Sequence, residues 1–501
     1  MAKGPTASME RDHPSTTASL ARWATVGFLI VIVVAMEVAS RQMGFQTRVP
    51  WFLWQLLDRN WLLEEPIRSV WLLHSQPPLL NLAAAVLAGL SESIGCSEDA
   101  LAGAVMALVN GLTVLVFFDL AKTVTARRWL AGALTVLLVA QPAYWVFRFR
   151  FFYPFLLLFL FLVVLWCLAR FLTSGRRRWL AAGSASLLSV HLLRSLYPPI
   201  FGIVLLVGCL LMFLKIGTPG PRQVTGLVGI MAMFIVLGAL WPLKNALVFG
   251  QWTFSSWKGY NLARGIPISK GENIAELRGL AKHDECPTPC QIRAAPPIEV
   301  QRLDCPAQVC DVRTAYGLNG NHYAFLLDGP VLQREAVRWR LQNPSRMPGI
   351  LLRNYAWVVR PTFIKPYGEV LDGPRDSLAW QQYARSFLEP LHRSVFAIPV
   401  RGADPIEITV LGLLLPFAVI AAFAIGGRQV NAGEIRGALL LLSCWILLWQ
   451  IVVVTLTDAQ EGNRMRVATL GMAVLIVGGL LGAILDRMRP DPGRVSGRSK
   501  R

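Results

Sequence analysis

The sequence predicts an all-α polytopic membrane protein with about ten transmembrane helices. Three observations carry that expectation. Of 501 residues, 54% are hydrophobic and only 16% are charged, with a mean hydropathy of +0.48, a composition outside that of soluble globular chains. Runs such as "WATVGFLIVIVVAMEVA" and "YPFLLLFLFLVVLWCLA" are long enough to cross a bilayer as helices. The basic residues lie in short clusters between these runs, and the 17 tryptophans fit aromatic belts at the interfaces.

The predicted crossings are about 22–40, 101–120, 129–147, 154–172, 179–195, 199–215, 225–247, 406–425, 437–456 and 468–485. The first has no small-residue cleavage site after it and reads as an anchor, not a signal peptide. The stretch "LLNLAAAVLAGL" (79–90) is apolar but short. Its twelve residues reach roughly 18 Å as a helix, against a hydrocarbon core of ~30 Å.

Charge decides how to treat it. Basic short loops belong on the cytoplasmic side. They are "KTVTARR" (122–128), "SGRRR" (174–178), "KIGTPGPR" (215–222), "GGRQVNAGEIR" (426–436) and the C-terminal tail. If 79–90 does not span, all of them fall on one side together with the N-terminus. If it spans, the N-terminus and the first basic loop fall on opposite sides and the pattern breaks. The segment is therefore expected as an interfacial helix on the outer face, opened by Pro77 and Pro78, where a missing N–H costs nothing.

The expected organisation follows: a disordered tail over 1–21, a membrane core over 22–247 with a first outer loop at 41–100, an outer loop domain over 248–405, C-terminal membrane helices over 406–485 and a basic tail over 486–501. The "WQLLDRNWLLEEPIRSVW" stretch reads as a second outer helix. Within 329–359, Val331, Arg334, Val337 and Leu341 share one helical face, as in a helix lying along the membrane. The net charge of +19 does not imply nucleic acid, because the cations punctuate spans and the arginine-rich tail suits anionic headgroups.

Cys167, Cys209 and Cys444 fall in spans and read as small apolar fillers. Cys286, Cys290, Cys305 and Cys310 share the large outer loop, either as two disulfides or as a Cys₄ zinc site. An oxidising face and loose spacing favour disulfides, of unspecified connectivity, with Cys96 left over. His74, His283 and His322 have no metal-ligand spacing.

Ionisable residues at span ends are functional candidates by default. Glu37 stands near the outer end of the first span, Arg148 and Arg150 at the end of the third, His191 and Arg194 at the end of the fifth, and Lys244 at the end of the seventh. The loop before the last span carries Asp458, Glu461, Arg464 and Arg466. Each alone could merely snorkel. Together they frame an anionic site at one level, since arginine's planar fork suits phosphate oxygens.

"HSQPPLLNLAAAVLAGL" resembles the His-Pro-Pro-Leu segment of GT-C glycosyltransferases. These polytopic enzymes use polyprenyl-phosphate sugars and include protein O-mannosyltransferases and aminoarabinose transferases. "RFRFFYPFLLLFLFLVVLWCLARFL" and "EGNRMRV" are similar to further family features, and the layout over 20–260 fits. The resemblance implies a GT-C-like fold and transfer of a hexose or pentose from a polyprenyl-phosphate donor to a hydroxyl of an envelope glycan, lipid or protein. It implies a carboxylate base shortly after the first span. Glu37, 37 residues before His74, matches best. The family's adjacent second acid is missing, so Asp58, Glu64 and Glu65 stay as alternatives, ordered Glu37, Asp58, Glu65. Arg148, Arg150, Arg194, Lys244 and Arg464 are the expected lipid-phosphate contacts, and His74, Gln76, Tyr153 and Glu461 the expected lining. No cofactor is implied, and a divalent cation is not indicated. Membrane lipid is an expected partner and nucleic acid is not.

A transporter or flippase for a lipid-linked intermediate, and a membrane-anchored scaffold, are the competing readings. A transporter calls for internal repeats and broken helices near the midplane, and the sequence offers neither. The outer segments hold no Asn-X-Ser/Thr sequon with a permitted X, since "NPS" at 343–345 contains proline. That favours a bacterial plasma membrane over the ER, with both termini cytoplasmic.

Overall fold

In hydrocarbon the backbone has no partner but itself, so apolar runs of this length must close their hydrogen bonds as helices. A computed structural model describes residues 16–217, 221–264, 296–359, 394–400, 403–457 and 466–488. Each of the ten predicted crossings lies mainly on helix. Among the described residues, eight helices are long and apolar enough to cross a membrane. They are α1 (Thr16–Gln42), α5 (Glu98–Thr125), α8 (Tyr153–Ser174), α10 (Pro199–Ile216), α11 (Pro221–Phe249), α17 (Val410–Asn431), α18 (Ile435–Thr457) and α19 (Leu470–Arg487). The chain is an all-α, multi-pass membrane protein.

The other two predicted crossings do not appear as single straight helices of spanning length. The third is a bent pair, α6 (Arg128–Val139) and α7 (Pro142–Arg148), meeting at 63°. Pro142 is the cause. It lacks an N–H and excludes the helical path behind it, so Gln141 adopts an extended ψ of 127° and the chain restarts. The indole of Trp145 donates to the freed Val139 carbonyl at 2.7 Å. The fifth, α9 (Arg177–Leu193), has 17 residues and packs against α8 and α11.

Boundaries shift elsewhere. Helix α1 begins at Thr16, inside the stretch assigned to the tail. The 405/406 boundary falls within a strand, β4 (Ala403–Thr409), which pairs antiparallel with β3 (Ser394–Val400). The alternation of Ile406 and Ile408 with Glu407 has the two-residue period of a strand. A second small hairpin pairs β1 (Arg313–Thr314) with β2 (Gly317–Leu318).

Two sets of contacts define the ends of the bundle. At one end Asp486 accepts from Arg127 at 3.0 Å and from Arg436 at 2.6 Å. This joins the α5–α6 turn, the start of α18 and the end of α19, which are three of the predicted basic-loop positions. At the other end, called the loop end below, the Val49 N–H donates to Asp99 at 3.0 Å and the Trp51 indole donates to Glu98 at 2.9 Å. The chain thus leaves α1 and enters α5 at the same end.

The segment between them does not cross. Helix α4 (Leu79–Ile94) is longer than its predicted 79–90 but at 16 residues reaches only about 24 Å. It buries Ala84, Leu87 and Ala88, while Leu82, Val86, Leu90 and Ile94 repeat every fourth residue on an exposed face. That stripe is an interfacial pattern. The predicted second outer helix is instead two short helices, α2 (Arg59–Glu64) and α3 (Pro66–Trp71), because Pro66 cannot continue α2 and serves as the first residue of α3.

Over the loop end lie α12 (Lys258–Arg264), α13 (Ile298–Gln301), α14 (Ala307–Cys310), α15 (Ala324–Gln342) and α16 (Met347–Val359). A disulfide joins Cys305 to Cys310, which removes two ligands from the Cys₄ alternative. Cys286 and Cys290 lie outside the described residues, and Cys96 is free and exposed. Helices α12 and α15 approach backbone to backbone at Gly259 and Gly329, where a Cβ on Gly259 would overlap the Gly329 carbonyl. Gly259→Ala is expected to destabilise this docking by ~1–3 kcal/mol, as overpacking does. The thermal midpoint in detergent should fall for it and hold for Gly27→Ala, where nothing lies within 4 Å.

Candidate functional site

The His-Ser-Gln turn is held by residues far along the chain. The Asn321 side-chain oxygen accepts from the backbone N–H of His74 at 2.8 Å and of Ser75 at 3.1 Å. Its amide donates to the Leu72 carbonyl at 3.0 Å and the Gln308 carbonyl at 3.2 Å. Ser256 meets His74 twice, through its hydroxyl on Nδ1 at 2.9 Å and through its N–H on the His74 carbonyl at 3.1 Å. The Ser255 hydroxyl donates to the Ser75 carbonyl, and Lys244 Nζ donates to the Leu73 carbonyl. A turn with Pro77 and Pro78 next to it cannot satisfy its own backbone, so these side chains do so.

His74 is therefore fully buried, with its ring edge-on to Phe249 at 5.0 Å. Burial first, and the nearby Lys244 charge second, push it down to about 3 from an ordinary 6.5. Folded His74 stays neutral while the unfolded chain binds a proton below 6.5, so stability is lost as pH falls from 6.5 toward 3. At ~1.4 kcal/mol per pH unit, the loop-end assembly should be about 2 kcal/mol less stable at pH 5 than at pH 7. Thermal midpoints at the two pH values read this, and His74→Gln should flatten the difference.

Gln76 leaves the turn toward the bundle. Its side-chain oxygen accepts from Arg194 at 3.1 Å, while its buried amide nitrogen has no hydrogen-bond partner. The Arg194 guanidinium lies 4.5 Å over the ring of Tyr153, the first residue of α8. Tyr197 stands close to Arg194 and Tyr153, and its hydroxyl donates to Gln450 of α18, whose amide nitrogen is likewise buried and unpartnered.

The second feature is an ion pair. Arg148, the last residue of α7, is 2% exposed, and its Nη2 pairs with the carboxylate of Glu37 in the last turns of α1. The guanidinium also lies 4.2 Å over the Phe149 ring. Its Nε and Nη1 are buried with no hydrogen-bond partner. The bend at Pro142 is what delivers Arg148 here, by turning α7 away from the line of α6.

The remaining predicted residues are placed as follows. Asp58 is buried and caps α2, one oxygen accepting from Asn60 N–H at 2.9 Å and the other from Ala315 N–H at 2.7 Å. Glu65 forms an exposed pair with Arg68 at 3.1 Å, apart from the buried cations. Arg150 bridges to Arg48 through the backbone and is half-buried. Lys244 is committed to the Leu73 carbonyl and lies 3.8 Å from the Trp241 ring centre. Glu461 and Arg464 lie outside the described residues. The geometry thus brings Glu37 to Arg148, and Gln76, Arg194 and Tyr153 to one another.

Asn321, Ser255 and Ser256 hold the turn without any sequence signal that marks them. Gln450 did carry one, as a lone amide in the apolar run "WILLWQIVVV".

No family model matches the chain, and no curated protein matches it. Among solved structures it aligns with the archaeal oligosaccharyltransferase AglB from Archaeoglobus fulgidus, determined with an inhibitory peptide and a dolichol-phosphate. Identity is 12% and the TM-score 0.43, over 94% of this chain and 52% of that one. The chain thus spans about half the length of that protein. It also aligns with ArnT from Cupriavidus metallidurans, bound to undecaprenyl phosphate (14% identity, TM-score 0.31, 90% of this chain and 77% of that one) and in the apo state (14%, 0.30, 90% and 78%). Similarity at this level carries no argument about activity, which rests on the residues above.

Proposed function

We propose that the chain is a membrane glycosyltransferase of GT-C type. It moves a sugar from a polyprenyl-phosphate donor to an acceptor hydroxyl at the outer face of the membrane. The observation that carries this reading is Arg148, a guanidinium buried to 2% exposure with two nitrogens unpartnered and the third on a carboxylate. Buried charge is costly unless its hydrogen bonds are met. A lipid phosphate entering sideways from the bilayer supplies acceptor oxygens in the fork geometry that arginine fits.

The chemistry follows from the pairing. The acceptor oxygen attacks the sugar's anomeric carbon and its proton passes to Glu37. The bond from that carbon to the phosphate oxygen breaks, and the electron pair leaves with the lipid phosphate. Arg148 and Arg194 stabilise that growing charge. Asp58 is a poor base on this account, since both of its oxygens already serve backbone N–H groups.

Transfer of labelled sugar from a panel of polyprenyl-phosphate donors, in membranes holding the chain, tests this. Glu37→Gln is expected to lower the rate by ~10²–10⁴, as loss of a general base does. Arg148→Lys should lower it at least tenfold with the protein still in the membrane, and Glu65→Gln should leave it unchanged. Loss with Glu65→Gln and retention with Glu37→Gln would reverse the assignment.

The bent α6–α7 pair gives the transporter reading one observation in its favour, because broken helices line transport sites. Its break comes about 18 Å along from Arg128, beyond the middle of a ~30 Å core. A single bent pair is present among the described residues. Donor-dependent movement of lipid across vesicles without sugar transfer would favour that reading.

A further inference from the structure

Helix α15 has a face that the site does not use. Its Ala336 is buried against Leu262 and Ala263 of α12 and against Leu332 and Trp339. Turned away from that seam, Val337 and Leu341 lie one turn apart at 43% and 76% exposure. Arg334 and Arg338 flank them on the same side and are exposed. With Gln333 and Gln342 they line an open groove of about 550 Å³. Arg338 has an acidic neighbour in Glu335, at 4.0 Å on its own helix, and is still 69% exposed.

The height of this face is set by Arg340. Its Nη2 donates to the Leu456 carbonyl at 2.8 Å and to the Leu262 carbonyl at 2.8 Å. Leu456 is in the last turn of α18, one of the helices long enough to cross. Helix α15 is thereby tied to the level at which a crossing helix ends, which is where phospholipid headgroups stand. An exposed leucine and valine between two arginines match that layer in both respects. The apolar pair suits the acyl boundary, and the cations suit the phosphates.

We infer that this face of α15 is a lipid seat that binds the headgroups of anionic phospholipids in the adjacent leaflet. Val337 and Leu341 sit at the acyl boundary and Arg334 and Arg338 take the phosphates. The inference is independent of the proposed transfer reaction, because it concerns bulk lipid and a different set of residues.

The test uses the full chain in vesicles. Cys96→Ser removes the exposed free thiol found among the described residues, and Leu341→Cys accepts an environment-sensitive fluorophore. The Cys96→Ser chain without Leu341→Cys serves as the blank, and Val337→Cys as a second labelling position. The vesicles are phosphatidylcholine alone or mixed with phosphatidylglycerol, with spin-labelled lipids as quenchers. Quenching should be strongest from labels near the headgroup. It should grow severalfold with phosphatidylglycerol at low salt and lose that increment at high salt or with Arg334→Gln plus Arg338→Gln. No quenching from either position in either vesicle would overturn the inference and leave the face to water or a soluble partner. Quenching indifferent to phosphatidylglycerol and to both arginine changes would overturn the role given to the cations.

Discussion

A guanidinium enclosed at the end of a hydrocarbon-spanning bundle must be answered by negative charge, and Arg148 is answered on one side only. Glu37 takes one of its nitrogens and leaves two facing no acceptor. Several features of the fold serve that situation. Pro142 breaks the third crossing so that α7 can carry Arg148 to the loop end, and Trp145 meets the carbonyl the break exposes. The chain then passes Phe149 to Phe152 and starts α8 at Tyr153, whose ring supports Arg194. A full complement of neighbours would make Arg148 inert structure, whereas its two unpartnered nitrogens are the donors that the proposed phosphate contact uses.

The second dependence is on the long-range lock around His74. Asn321 and Ser256 stand 247 and 182 residues away from it. They fix a turn whose neighbouring prolines deny it ordinary backbone bonds. Gln76, two residues on, reaches Arg194 only because that turn is fixed. The loop covering the membrane core is thus a structural part of the candidate site. His74 itself is a post in this frame, sealed from the surface, and its neutrality makes the frame sensitive to acid.

Much of the architecture was legible because membranes impose simple rules. Apolar length marked the eight helices long enough to cross and the bent α6–α7 pair, and the clustering of Lys and Arg was enough to set 79–90 apart from the spans. The four-residue spacing of Leu82, Val86, Leu90 and Ile94 is the physical counterpart of that choice. Position also singled out Glu37 and Arg148, since an ionised group at a span end needs a reason. Partnership was not legible. Nothing about Asp58 in the chain says that its second oxygen belongs to Ala315, or that Lys244 is spent on the Leu73 carbonyl. Those contacts join segments whose separation leaves no periodic trace, so local pattern cannot report them. Pro142 was visible, but its effect depended on whether neighbours would straighten or exploit the kink.

In the proposed reaction the buried, half-paired Arg148 receives a lipid phosphate. Retention of a polyprenyl monophosphate by the purified chain, followed by native mass spectrometry from detergent, reads it without knowledge of the sugar or the acceptor. A one-to-one complex is expected that weakens at least tenfold with Arg148→Lys and persists with Arg68→Lys, since Arg68 is paired at the surface. Equal retention by both variants would contradict it, and so would no preference for the phosphate over the free polyprenol.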